Sequence, residues 1–297
     1  AVDNAGEDET VQVEPGTYNE SVSISTANVT LEGPNAGTTG DSDRSSEATI
    51  KGNIIVDPVD NITVDGFQVN GTSNRLDGGA IQLTSNFSIV GPTGPKFGEN
   101  VKIRNNVINV DTSSGDATGI SIFSNSGSEL VIDGNYITKS AGSNTAYGVS
   151  QVASPISRLN VTDNKFDTDK TYFQGQEGEY NATIKNNEFT SNSIRGLRIT
   201  DVGNNNSADT AEFDVDIQEN TFNDGASTGV YVEYADSNDE ISINNNEFRS
   251  TSDTGVQTNS LQSGAIDATS NWWGSPNGPS ASENTYNDGN QGAEVSD

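Results

Sequence analysis

Histidine and cysteine are both missing from this chain, and lysine and arginine together supply only 14 of its 297 residues. Without cysteine there is no disulfide framework and no thiol nucleophile. Without histidine the commonest general base and metal ligand is gone. Set against 43 acidic residues, the 14 cations leave a formal net charge of −29. That balance argues against nucleic acid and anionic membrane as partners, since both are held by positive charge. It reads as a sink for divalent cations or as the solvated acidic surface of a halophile's protein, and the second is the favoured reading. No apolar run approaches membrane-spanning length, and no signal-peptide pattern is present. Hydrophobic residues make up 30% of the chain, a poor supply for one compact α/β core but enough for a thin apolar column.

What the chain does have is one short recurring figure. It consists of an apolar residue, an Asn three places on, and a second large apolar residue two places later. It is plainest at Ile243, Asn246 and Phe248. It recurs at Ile103/Asn106/Ile108, Ile132/Asn135/Ile137, Val161/Asn164/Phe166, Ile184/Asn187/Phe189 and Ile217/Asn220/Phe222, with a worn copy at Ala268/Asn271/Trp273. Its period of roughly 23 to 33 residues signals a repeat architecture.

Around the figure apolar and polar residues alternate, as in Val215-Asp-Ile217-Gln and Ile241-Ser-Ile243-Asn, which is strand periodicity. The Asn is expected to turn the chain, because Asn tolerates left-handed backbone angles and bonds neighbouring backbone groups. A second pattern opens on glycine: Gly119-Ile-Ser-Ile, Gly148-Val-Ser, Gly196-Leu-Arg-Ile, Gly229-Val-Tyr-Val and Gly255-Val-Gln. Each repeat therefore holds two or three very short strands and no helix. Only stacked coils can bury such side chains. The expected fold is all-β, a single-stranded right-handed parallel β-helix of about nine or ten coils between Val11 and Trp273. Asn106, Asn135, Asn164, Asn187, Asn220 and Asn246 would form a ladder along one corner.

In chain order, residues 1–10 read as the remnant of an N-terminal helical cap, and a first long loop runs from Asn35 to Glu47. Its Asp41, Asp43 and Glu47 are candidate calcium ligands, although the usual calcium-loop spacing is not met and a solvated loop is the favoured reading. Ile54 to Val69 carries an Asn-poor version of the repeat, and Gly91 to Pro95 is a second loop. Further loops are expected near Asp167–Glu179 and Asp201–Asp209. Residues 274–297 read as an irregular tail. Nothing in composition marks a boundary, so residues 1–297 read as one domain.

Three stretches carry a resemblance: Val11-Gln-Val-Glu-Pro-Gly-Thr-Tyr-Asn-Glu20, Val29-Thr-Leu-Glu-Gly-Pro34 and Asn271-Trp-Trp-Gly-Ser-Pro-Asn-Gly-Pro279. Together they resemble secreted haloarchaeal surface proteins with a pectate-lyase-like right-handed β-helix, a carbohydrate-binding and sugar-hydrolase repeat domain. The likeness covers nearly the whole chain. It implies an extracellular or cell-surface location and a ligand groove across outward-facing strand positions. Proteins of that group begin with a longer capping helix and run on past the Trp-Trp motif, so the chain resembles the middle of something longer.

On such a face Arg198, Tyr231 and Glu233 come together as candidate ligand-binding residues: Arg for a carboxylate, Tyr to stack on a sugar and Glu for proton transfer. Phe123 is expected on the same side, and Asp201 and Asp236 flank the patch. The plain alternative is a cross-strand ion pair beside a good strand former. Positions aligned with Arg198 on other coils read Gln82, Ser121, Ser150, Tyr231 and Gln257, so the face is expected to carry one positive charge. The His-containing motifs of polygalacturonases and uronate epimerases are impossible here. Two-carboxylate chemistry is uninformative among 43 acids. No catalytic residue and no resident metal is assigned. The favoured function is a non-catalytic surface, adhesive or assembly module with weak glycan binding. The competing one is a Ca²⁺-dependent polysaccharide lyase acting on the Arg198 face.

Trp272 and Trp273 are either a sugar platform or, preferably, a closure of the apolar column. Sequons stand at Asn19, Asn28, Asn61, Asn70, Asn86, Asn160, Asn181 and Asn205, about the number chance predicts in so Asn-rich a chain. Asn28, Asn61 and Asn181 read as turn residues ahead of strands. A β-helix end exposes strand edges and an open core, which suggests end-to-end self-association.

Overall fold

The computed structural model describes residues 2–71, 78–84, 98–123, 127–152, 156–175, 180–190, 194–201, 213–223, 227–235, 239–249, 254–259, 266–280 and 294–296. After one 3₁₀ turn at Val2–Asn4, its regular structure is all strand. Three parallel sheets wind into a β-solenoid with three strands per coil.

The first sheet stacks Thr10–Gln12, Thr30–Glu32, Thr63–Asp65, Val101–Arg104, Gly127–Asp133, Ile156–Thr162, Tyr180–Lys185, Phe213–Gln218 and Glu240–Asn244. The second stacks Gly16–Tyr18, Ala48–Ile50, Gln68–Val69, Val107–Asp111, Tyr136–Ala141, Lys165–Asp167, Glu188–Thr190, Thr221–Phe222 and Glu247–Phe248. The third runs from Val22–Ile24 through Ile54–Val56, Gly79–Leu83, Ala117–Phe123, Ala146–Val152, Lys170–Gly175, Leu197–Asp201, Thr228–Glu233 and Thr254–Asn259 to Glu294–Ser296.

Alternation decides what each strand buries. Ile103, Ile132, Val161, Ile184, Ile217 and Ile243 are paired coil to coil and fully buried. The second apolar residue of the figure forms an aromatic stack. Phe166, Phe189, Phe222, Phe248 and Trp273 follow one another with ring centres 5.1, 4.7, 4.9 and 4.9 Å apart. That spacing is the distance between neighbouring strands, so backbone pairing and ring stacking enforce each other. The leading glycines make room for the stack. A Cβ on Gly148 would lie 2.7 Å from Phe166, one on Gly196 2.8 Å from Phe222, and one on Gly229 2.7 Å from Phe248.

The six ladder asparagines lie in one buried line. Each backbone N–H and Nδ2 donates to Oδ1 of the next, for example Asn135 to Asn164 at 2.9 and 3.0 Å. Nδ2 also donates to a carbonyl of the preceding coil, as Asn135 does to Ile103 at 2.8 Å. Asn271 extends the line, accepting from Asn246 at 2.8 Å. The left-handed turn, however, belongs to the residue before each ladder Asn: Asn105, Gly134, Asp163, Asn186, Glu219, Asn245 and Ser270 all have φ between 53° and 63°. The ladder Asn supplies hydrogen bonds, and its neighbour supplies the bend.

Several sequence expectations change. Residues 170–175, assigned to a loop, form a strand of the third sheet. The tail beyond Gly274 contributes the strand Glu294–Ser296, which pairs with Thr254–Asn259. Asn28 and Asn61 do turn the chain at φ 60° and 58°, whereas Asn181 lies inside a strand with its side chain exposed. The loop from Asn35 to Glu47 is folded back over the ladder corner by Arg44, whose side chain is 5% exposed and donates to Asn105 O at 2.6 Å. Glu47 accepts from Arg44 and from Asn35, while Asp41 and Asp43 face solvent. Gly91–Pro95, the loop around 202–209, Asn86 and Asn205 lie outside the described residues.

At the C-terminal end Trp273, 6% exposed, closes the column against Phe248, while Trp272 is 46% exposed. At the other end the core opens into a cavity of about 320 Å³ lined by Val11, Val13, Val22 and Leu31.

Candidate functional site

Register, rather than sequence distance, assembles the face around Arg198. Arg198 pairs with Tyr231, and Thr200 with Glu233. Following the pairing through the third sheet gives one outward column: Gln82, Ser121, Ser150, Tyr172, Arg198, Tyr231 and Gln257. Tyr172 is the member that the sequence pattern missed, because it sits on the strand assigned to a loop.

Arg198 and Glu233 form an ion pair, and Thr200 Oγ1 donates to the same carboxylate oxygen at 3.2 Å. The Arg198 guanidinium also lies 4.7 Å from the centre of the Tyr172 ring. Tyr172 donates its phenol to Gln174 Oε1 at 2.7 Å. Burial raises the Tyr172 phenol above its usual range, and the Arg198 charge partly offsets that shift.

Two further cations join the patch. Arg195 comes from the corner ahead of Leu197–Asp201, and its guanidinium lies 3.8 Å from the centre of the Tyr231 ring. Lys170 Nζ lies 4.4 Å from the centre of the Tyr147 ring. Among the described residues the face thus carries three positive groups, not the single one that the aligned column suggests. Neither extra cation was legible, because Arg195 precedes its strand and Lys170 opens the missed one.

The same contacts alter the role open to Tyr231. Its residue is only 6% exposed, Arg195 covers its ring, and its hydroxyl accepts from Asn259 Nδ2 at 3.1 Å. A ring so covered has no open face for a sugar. Glu233 is likewise engaged, by Arg198 and Thr200. Ser121 and Ser150, in the same outward column, are buried, and neither hydroxyl has a hydrogen-bond partner among the described residues. Phe123 closes the strand Ala117–Phe123, but its side chain lies outside the described residues, as do the Asp201 side chain and Asp236.

Comparison with protein-family models, with curated proteins and with solved structures finds no match to this chain. The fold itself defines the class: a parallel β-solenoid with an internal asparagine ladder and a continuous aromatic stack.

Proposed function

We propose that the chain is a non-catalytic structural, adhesive or assembly module, placed at the cell surface or outside the cell of a halophilic archaeon. The observation that carries this reading is the state of Glu233. Among the described side chains of the third sheet it is the one carboxylate, and it is held by Arg198 and Thr200. A carboxylate tied into an ion pair is a poor proton shuttle, so Glu233 is not free to act as the base of a sugar-active enzyme. The charge of −29 supports the halophilic part of the reading, since a dense acidic surface suits molar salt. The pectate-lyase-like resemblance supports the extracellular part. The apolar-lined cavity beside Val11 and Val22 supports an assembly role, because it offers apolar surface to another chain.

The test is an assay with pectate and alginate in molar salt with Ca²⁺ added. No unsaturated product absorbing in the ultraviolet is expected. Steady appearance of such product, abolished by Arg198→Ala, would replace this reading with the calcium-dependent lyase.

A further inference from the structure

Most basic side chains along the rod are matched to carboxylates: Arg104 to Asp133, Lys139 to Asp169, Lys165 to Glu188 and Lys185 to Glu219. Among the described residues four cations lack such a match, Lys51, Lys102, Lys170 and Arg195, and the last two share one face of the third sheet. Lys170 and Arg195 each lie over a tyrosine ring, and neither has a carboxylate within ion-pair reach among the described residues. In a chain with three acids for every base, two cations without a carboxylate partner among the described residues, beside a third, are an unusual gathering on one face.

Their placement is built rather than incidental. Arg195 N donates to Asp169 O at 3.2 Å, so Arg195 and Lys170 start from neighbouring points on adjacent coils. Arg198 follows three residues after Arg195, and its strand pairs with that of Tyr172. Coils are about 4.8 Å apart, so the backbones of all three lie within roughly 10 Å. Stacking also selects which atoms stay available. A guanidinium laid against an aromatic ring uses its face, and its in-plane N–H donors remain open for bidentate contact with an oxyanion. The Arg195 guanidinium carbon lies 3.8 Å from the centre of the Tyr231 ring, a distance that suits such stacking. Fixing a long side chain before binding lowers the ordering cost of binding.

We propose that Lys170, Arg195 and Arg198 form a site for an oxyanion group (carboxylate, phosphate or sulfate) in which Glu233 is a resident carboxylate occupying part of Arg198. The site goes beyond the module reading, because it gives the outward face of the third sheet a ligand chemistry that stands whether or not that face is catalytic. The surrounding negative charge does not forbid it. At molar salt the Debye length is about 3 Å, so distant acids are screened and direct contacts decide.

The experiment is a titration of the full chain in molar NaCl with inorganic phosphate, sulfate and acetate in turn. It is read from the arginine Nε–Hε NMR resonances. Arg195 and Arg198 are expected to shift saturably with at least one of the three, with a half-point of roughly 1–10 mM. The anion that saturates first identifies tetrahedral or planar preference. Arg195→Gln should weaken binding about tenfold, whereas Lys51→Gln, an exposed cation elsewhere, should leave it unchanged. Glu233→Gln should tighten binding several-fold by freeing Arg198, a gain that misfolding cannot imitate. Glu240→Gln, which changes net charge equally on the first sheet, should not. Shifts that stay linear with all three anions overturn the proposal. Equal losses in the Arg195 and Lys51 variants overturn it too, as do equal gains in the Glu233 and Glu240 variants. No glycan is present in this titration, so its failure leaves the module reading standing. Product formation in the lyase assay would remove the module reading without touching this one.

Discussion

A primary amide fits a buried line when both its ends are used, and each ladder asparagine uses both. Asn187 Oδ1 accepts from Asn164 N and Nδ2 at 2.9 and 3.0 Å. Its Nδ2 donates to Asn220 Oδ1, Val161 O and Lys185 O at 3.0, 2.9 and 3.0 Å. Asn187→Ala should strand the Asn164 donors and cost about 1–3 kcal/mol, because a buried polar group without a partner bears its full desolvation penalty. Asn181→Ala, on an exposed side chain of the adjoining strand, should cost under about 0.5 kcal/mol. Urea denaturation of the two variants with unchanged slopes measures the difference, and equal midpoints would sink the ladder as a source of stability. The ladder was legible because a single residue type recurs at a fixed offset from apolar neighbours. The turn was not. The left-handed position is filled by Asn, Gly, Asp, Glu and Ser in different coils, so no one letter marks it.

Among elements, the glycine-led strands and the phenylalanine stack act as one device. Ring packing at about 4.8 Å leaves no space on the facing backbone for a side chain, and Gly229 answers that need opposite Phe248. Gly229→Ala should overpack the column and cost about 1–3 kcal/mol, with Phe248→Leu in the same chain recovering part of the loss. Thermal melting of the single and double variants reads this coupling, and strictly additive losses would mean that the two residues do not oppose each other. The same device explains what the sequence pattern hid. Across Lys170–Gly175 the register slips, with Tyr147 to Ser150 opposing only Lys170 to Tyr172. Thr171 pairs with Leu197, so Lys170 stands where a glycine would announce the strand, and Tyr172 was lost with it. The loop from Asn35 was opaque for another reason. The partner of Arg44 at Asn105 is 61 residues away and is brought near only after several coils have stacked. Strand existence is written locally, while the destination of a loop is not.

Over the whole molecule the apolar column is continuous and the charge lies outside it, so ionic strength should act on the fold through two opposed effects. Salt weakens attractive pairs such as Lys185 with Glu219 at 3.2 Å and Lys165 with Glu188 at 3.0 Å. Exposed pairs of this kind contribute about 0.2–1 kcal/mol each, and even Lys165, whose ammonium is held above its usual range by the hydrogen bond to Glu188, stays partly exposed. Salt also screens mutual repulsion among the acids left over after pairing, and −29 charges on one elongated rod far outnumber the pairs. At about 0.01 M the Debye length is near 30 Å and spans several coils, whereas at 1 M it is about 3 Å and hardly reaches the next one. Repulsion should therefore win, and the melting temperature should climb as NaCl or KCl is raised from low ionic strength. Screening is nearly complete by roughly 0.5 M, so most of the gain should fall below that concentration if repulsion is the cause. A shallow linear rise continuing to several molar would instead signal general salt exclusion from the surface. A melting temperature that falls with salt would mean that the ion pairs outweigh the repulsion, and the halophilic reading would lose its physical basis.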